Sequence, residues 1–469
     1  MSVLKPWQWT GLCLGISFGL YFVFFHLQSF RDMSFLGAIL AIEIIIVSLW
    51  KYDQRVFALI LITYILAGVQ LPLQGVASLG RWVVLAAGAG AGMVIWLTSP
   101  RGKFRTVHLV ATFCVLTAFV SASVSQYVQM ASLKALSLAL LLLYCACGVR
   151  LAAVGRENKF FPAVILGAEA VVYVTAASYA LGDAMWGNPN SLGAAMSIGV
   201  FPLLLWGWQT SDGLVGKFRK LVALLICTYL VGFSLSRASM ISVAVVIVTF
   251  CLCLHRYKLL AKIIAVVLFF VAIGGILAPD TLSQQTERFE QAFLYKGHKE
   301  GGIFGSRKGP WEDSIASIRA HPWFGTGYGT SPTGADPGLS FGNVNSSSET
   351  SREHGSSYIT IAEWVGLCGA LPFVALLSLT FLNVWRVCRL MRWTSEVRYY
   401  SIPLAMVVLA GFVHAGFEDW MFAVGSYLSF FFWACAFILV DIVPDADALQ
   451  KKAGADAVRR GMLRYPAGA

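Results

Sequence analysis

Three short stretches carry residue types able to do chemistry. "SREHGSSYITIAEWVGLCGALPF" places Arg352, Glu353 and His354 directly against an apolar run, "GFSLSRASMIS" sets Arg237 between two apolar runs, and "GSRKGPW" carries Arg307. An arginine beside free backbone N–H groups holds an anion, and a guanidinium matches phosphate oxygens with a fixed fork of donors. A neutral imidazole takes a proton from a hydroxyl at neutral pH. Two arginines and one base at a membrane surface therefore suit a substrate with a pyrophosphate head and a lipid tail. Pyrophosphate leaves well once its charge is met, so no acid is obligatory.

Each residue also has a plainer reading. Arg237 can be an interfacial arginine whose stem lies along apolar surface. Arg307 can be a solvated loop residue, and His354 a helix cap. Nearby cations would keep His354 neutral and Glu353 would do the opposite, so the sign is open at this level. Arg288 lies between Glu287 and Glu290, which favours a surface ion pair. Arg352, Glu353 and Arg288 are the secondary candidates.

The exclusions are as informative. Segments expected to face outward hold no Asp-x-Asp, no paired acids at metal-ligand spacing and no His/Cys cluster, so no catalytic metal is expected. Glu418 and Asp419 in "FEDW" read as one adjacent pair near a short loop. No phosphate-cradling Walker loop is present, and "GTGYG" follows no strand, so neither nucleotide nor other cofactor is expected.

These residues must be positioned by membrane helices. The 469 residues are 58% hydrophobic and only 13% charged, values of an integral membrane protein. Apolar runs near 9–26, 34–50, 56–73, 80–98, 106–125, 131–149, 160–182, 190–209, 219–236, 238–255, 259–279, 356–384, 398–416 and 421–441 give about twelve to fourteen spanning helices. The first run reads as a span and not as a removed signal segment. The net charge of +11 does not point to nucleic acid. Its lysines and arginines fall in alternate loops, the pattern of a positive-inside bias, with both termini expected in the cytoplasm. The ten cysteines lie in or beside spans and imply no disulfide framework.

The expected organisation is an N-terminal helical part over 1–279, a large outward loop over 280–355, three further spans over 356–441 and a cytoplasmic tail over 442–469. Connections as long as that loop are usually functional. Its first part, near 280–297, reads as a short amphipathic helix. Pro310 followed by Glu312 and Asp313 predicts a second helix that stops before Pro322. A Gly-rich turn follows at Gly325, Gly327 and Gly329.

In combination these elements resemble the O-antigen ligase and polymerase superfamily. The resemblance rests on "SLSRASM", on "GSR" with Trp311 four residues beyond Arg307, on "HPWFGTGYG", on His354 leading into "AEWVGLCG", and on "GNPNSLG" from Gly187. It covers roughly residues 180–420. It implies an all-α polytopic glycosyltransferase of the GT-C class, with its active site at the periplasmic face of the bacterial inner membrane. Such an enzyme moves a glycan from undecaprenyl pyrophosphate to an acceptor hydroxyl without metal and with inversion. By that resemblance Arg237 and Arg307 hold the donor pyrophosphate and His354 is the base. Two departures stand out. Gly355 follows the histidine where Asn, Ser or Gln is usual, and the distance from His354 to Gly366 is one residue longer.

Within the superfamily the moderate loop, with no extra domain, favours a ligase whose acceptor is lipid A–core. A polymerase and a protein O-oligosaccharyltransferase are the alternatives. From another class, Glu43 and Glu169 within spans keep a lipid-linked glycan transporter open.

Overall fold

The computed structural model describes residues 54–70, 74–98, 104–182, 185–277, 305–331 and 354–443. The predicted spans near 9–26 and 34–50, the whole of the first loop helix near 280–297, the cytoplasmic tail beyond residue 443 and the candidates Arg288, Arg352 and Glu353 lie outside these residues. So does Glu43.

The described residues form helices and no strand. They are α1 Gln54–Gly68, α2 Gln74–Thr98, α3 Thr106–Ser123, α4 Val128–Ala153, α5 Glu157–Ala180, α6 Pro189–Thr210 and α7 Leu214–Phe233. Then come α8 Arg237–Cys253, α9 Tyr257–Leu277, α10 Gly305–Ala320, α11 Ser357–Thr394, α12 Ser401–Ala415 and α13 Tyr427–Ile442. Among the described residues six helices (α2 to α6 and α11) are long and apolar enough to cross a membrane. The chain is a multi-pass membrane protein. The paired runs 219–236 and 238–255 are separate helices, because Leu235 turns the chain with a φ of 49°.

Sequence explains which helix sits at the centre. α13 reads "YLSFFFWACAFILVDI", apolar on every face, and every residue from Leu428 to Val440 is buried. A helix hydrophobic all round belongs inside a bundle. Around it Phe430 stacks with Tyr64 at 5.1 Å and with Tyr144 at 5.8 Å, tying α13 to α1 and α4. By contrast α7 exposes Leu225, Tyr229 and Phe233, an apolar surface suited to lipid.

Two helices carry π turns, at Tyr144–Val149 in α4 and Ala195–Val200 in α6. The second lies just ahead of Pro202, which has no N–H to give the turn before it. α11 is broken at Gly366, with φ 69° and ψ 176°. The break frees carbonyls that a spanning helix must satisfy within the protein, and the "HPWFGTGYG" segment meets them. Thr326 N–H donates to the Glu363 carbonyl at 3.0 Å and Gly327 N–H to that of Trp364 at 3.1 Å. The Ser121 hydroxyl of α3 donates to Trp364 O at 2.5 Å, and Leu367 N–H donates back to Pro322 O at 2.8 Å. A Cβ on Gly366 would collide with the backbone of Trp323 and Phe324. The Gly-rich turn is a clasp on a broken helix.

Candidate functional site

The site forms where α10, the start of α11 and the α12–α13 connection meet. α10 begins at Gly305, five residues earlier than the sequence predicts, so Arg307 lies inside its first turn and Pro310 lies within the helix. Gly309 explains the difference. A residue before proline is pushed out of the helical region partly by its Cβ, and Gly309 has none.

Arg307 is buried, and its guanidinium pairs with the Glu418 carboxylate. Asn190 donates its side-chain N–H to the same carboxylate at 3.2 Å. Asn190 belongs to "GNPNSLG", whose Asn188 side chain caps α6 by accepting from Asn190 N–H at 2.8 Å. That stretch also packs on the "SLSRAS" turn: a Cβ on Gly193 would lie 2.6 Å from the hydroxyls of Ser234 and Ser239. Arg237, half-buried at the start of α8, stands close enough to Arg307 for their like charges to act on each other.

His354 is wholly buried. Its Nδ1 lies 3.2 Å from Asp419 Oδ2, and the same oxygen accepts the His354 backbone N–H at 3.1 Å. Nε2 lies 3.0 Å from the Ser331 hydroxyl and 3.5 Å from Glu363 Oε2. Trp364 meets the ring edge-on, with centroids 5.7 Å apart. The connection bearing Asp419 is stapled to α11 by Ser357, whose N–H and hydroxyl both donate to Glu418 O, at 3.0 and 2.7 Å, while its hydroxyl accepts from Met421 N–H at 3.1 Å. Adjacent residues thereby serve two partners, Glu418 for Arg307 and Asp419 for His354.

The charge state follows. Burial pushes the His354 pKa down, but the hydrogen bonds and fields of Asp419 and Glu363 outweigh it and hold the pKa above its ordinary value. Burial likewise pushes Asp419 up, and the imidazole more than offsets it, holding that carboxyl below its ordinary range. Sequence left the sign open; two carboxylates decide it, and both come from outside the "SREHG" stretch. Asp419 and Glu363 approach different ring nitrogens, and no group of three metal-ligating side chains occurs among the described residues.

Arg307 and His354, far apart in sequence, are joined through Gly355. Its φ is 71°, and a Cβ there would lie 3.0 Å from Arg307 Cδ and 3.3 Å from Trp311 Nε1. The departure at this position thus has a steric reason. Sequence reading missed Glu418, Asp419, Glu363, Asn190 and Ser331. A signal existed for the first three: carboxylates at or inside apolar runs are costly unless partnered. Behind them His414 links the layers, with Nε2 3.2 Å from Ser239 Oγ and Nδ1 accepting from Trp420 Nε1–H at 3.0 Å. Glu169 pairs with Arg219 at 2.9 Å, which gives that intramembrane acid a partner.

Residues 222–374 match the O-antigen ligase family model. The match supports membership of the O-antigen ligase superfamily. It covers Arg237, Arg307, His354 and Glu363, and stops before Glu418 and Asp419. It supports an O-antigen ligase or polymerase type of function in lipopolysaccharide biosynthesis. No curated protein matches the chain.

Proposed function

We propose that this protein transfers O-antigen polysaccharide from undecaprenyl pyrophosphate to a sugar hydroxyl of lipid A–core, at the periplasmic face of the bacterial inner membrane. The observation that carries the reading is the pairing of Asp419 with His354 Nδ1, next to Gly355 and the Arg307 side chain packed against it. Asp419 fixes the tautomer whose Nε2 is free of hydrogen and can accept a proton. The acceptor oxygen bonds to the anomeric carbon from the face opposite the pyrophosphate and inverts it. The bond to the pyrophosphate breaks, its electron pair leaves with the phosphate oxygen, and the acceptor proton goes to Nε2. Arg237 and Arg307 meet the charge on the leaving group, with Glu418 holding Arg307 until the donor arrives. The chemistry is written without metal, since arginines supply the positive charge. The GT-C class, the two termini in the cytoplasm and the outward placement of α10 belong to the same proposal.

A lipopolysaccharide gel of a strain lacking the gene tests it, complemented with wild type or His354→Ala. Bare core with accumulating lipid-linked ladders, rescued by wild type alone, is the expected result. Core carrying one repeat would replace the ligase reading with polymerase. An unchanged gel would remove both and leave a protein glycosyltransferase or a transporter.

A further inference from the structure

Neither the resemblance nor the proposed reaction gives Glu363 a role. It is wholly buried, on the first stretch of α11, and its Oε2 lies 3.5 Å from His354 Nε2. Nε2 is the nitrogen that receives the acceptor proton, because Nδ1 is engaged by Asp419. The helix is also built to aim this residue. The break at Gly366 ends the helical path within one turn of Glu363, and the Glu363 carbonyl is held by Thr326 N–H at 3.0 Å.

We propose that Glu363 is a positioning residue for His354, one that sets the basicity of Nε2 and stabilises the imidazolium formed when the acceptor proton arrives there. The inference rests on His354 being the base. Before transfer, neutral imidazole donates Nδ1–H to Asp419 and accepts the Ser331 O–H at Nε2. During transfer the acceptor hydroxyl takes the place of Ser331. Its proton moves to Nε2, and the positive charge so created lies between two carboxylates, Asp419 on one side and Glu363 on the other. A buried imidazolium is stabilised most by charges that need not reorganise.

The charged groups around the ring come from each element packed on it. Asp419 comes from the α12–α13 connection and Glu363 from α11. Arg307 of α10 lies beside Gly355 with its charge met by Glu418. Among the described residues the balance is therefore negative at the ring, in keeping with the raised His354 pKa.

Two measurements on the full chain in lipid nanodiscs test this, each with Glu363→Gln and Glu363→Asp. In the first, ¹⁵N-histidine spectra are titrated, with the His354 signals assigned by their loss in His354→Ala. Glu363→Gln should lower the His354 pKa by about one unit or more, and Glu363→Asp should restore most of the shift. This readout needs no substrate. In the second, transfer from a lipid-linked donor is followed against pH. The neutral base is lost as pH falls, so a lower pKa moves the acid limb of the profile to lower pH in Glu363→Gln. The plateau rate falls about tenfold or more, because the imidazolium is less stabilised. In a His354→Ala background Glu363→Gln should have no further effect on the residual rate.

An unshifted His354 titration in well-folded Glu363→Gln overturns the proposal. So does a loss of rate with the acid limb unmoved, or an undiminished effect in the His354→Ala background. Should both Glu363 variants unfold, full activity of a folded Glu363→Ala revertant or of any non-acidic replacement would overturn it as well. A shifted titration alongside a fully active His354→Ala would sustain the electrostatic coupling and defeat the function proposed for the histidine.

Discussion

Two buried histidines sit among charges at different places in this molecule, and their surroundings differ in sign. His354 lies between Asp419 and Glu363. His108, on α3, has its Nε2 2.7 Å from Arg150 Nη1, and the same guanidinium grips Asp441 of α13 through two nitrogens. Arg105 stands 3.9 Å from the same carboxylate. The Arg150 cluster ties α3, α4 and α13 together with residues from regular helix or its ends. The His354 cluster is assembled from a broken helix, a short connection and the margin of the long loop. Where cation meets anion and the histidine merely accepts, the chemistry is that of a clamp. Where carboxylates surround the histidine, a proton arriving on the ring is stabilised, and that arrangement suits a base. Residue types alone do not separate these two sites; sign and mounting do.

The contrast breaks first at the histidines. His354→Ala should reduce transfer by roughly 10²- to 10⁴-fold, the usual worth of a positioned base, with little change in folded yield. His108→Ala should leave the rate within about threefold of wild type while lowering thermal stability. A lipid-linked donor assay beside a thermal melt reads both, and equal losses of rate in the two variants would erase the distinction drawn here.

Next comes Arg150→Ala, which leaves Asp441 with only the more distant Arg105 guanidinium, 3.9 Å away. Breaking a fully buried pair costs roughly 3–5 kcal/mol; with Asp441 half-buried and Arg105 still near it, the loss should be smaller, read as a lowered melting temperature in detergent. The material that stays folded should turn over normally. A comparable loss of rate per folded molecule would mean that the clamp takes part in the reaction cycle.

A third test uses pH. The His354 pKa lies above its ordinary value of 6.5, and the base must be neutral, so the wild-type rate should fall as pH drops through that raised value. Asp419→Asn removes one of the two carboxylates that raise it. The limb should then move to lower pH by about 1–3 units, while the plateau falls because an amide can hold the wrong tautomer. A limb that stays in place would assign it to another group. For Asp441→Asn, at the other cluster, no displacement is expected.

How much of this was legible in sequence follows from where each residue sits. The spans are visible as continuous apolar runs, while the central position of α13, apolar on every face, emerges only from the packing around it. Arg237 and His354 stand out because charge at the edge of an apolar run is costly, and Arg307 because it stands just ahead of a predicted helix start. Glu418 and Asp419 are visible in sequence only as an adjacent pair with no partner indicated. Adjacent residues do not share a helix face, and only the irregular chain between α12 and α13 sends one to Arg307 and the other to His354. The first turn of α10 was lost to Pro310, whose usual meaning as a helix start was overridden by Gly309. The break at Gly366 was foreshadowed only by its glycine. That its carbonyls are satisfied by "HPWFGTGYG" is a tertiary fact, since Thr326 and Glu363 are far apart along the chain.

The smallest expected effect concerns Asn190, which touches neither histidine. Its side-chain N–H donates to the Glu418 carboxylate that pairs with Arg307. While Asn190 holds part of that carboxylate's hydrogen-bonding capacity, Glu418 is a weaker competitor for the guanidinium, and an arriving pyrophosphate can take its place more readily. Asn190→Ala removes a hydrogen bond to a charged acceptor, worth about 1.5–3 kcal/mol, part of which Glu418 regains by drawing Arg307 more tightly. Donor KM should therefore rise about two- to tenfold with kcat nearly unchanged, because the interaction lost acts before the chemical step. A fall in kcat at constant KM would place Asn190 in the reaction itself. At the Arg150 cluster no exchangeable anion is expected. Weakening its hydrogen bond to His108 should therefore leave donor KM unchanged, the sharpest sign that one arginine is held to be released and the other to stay.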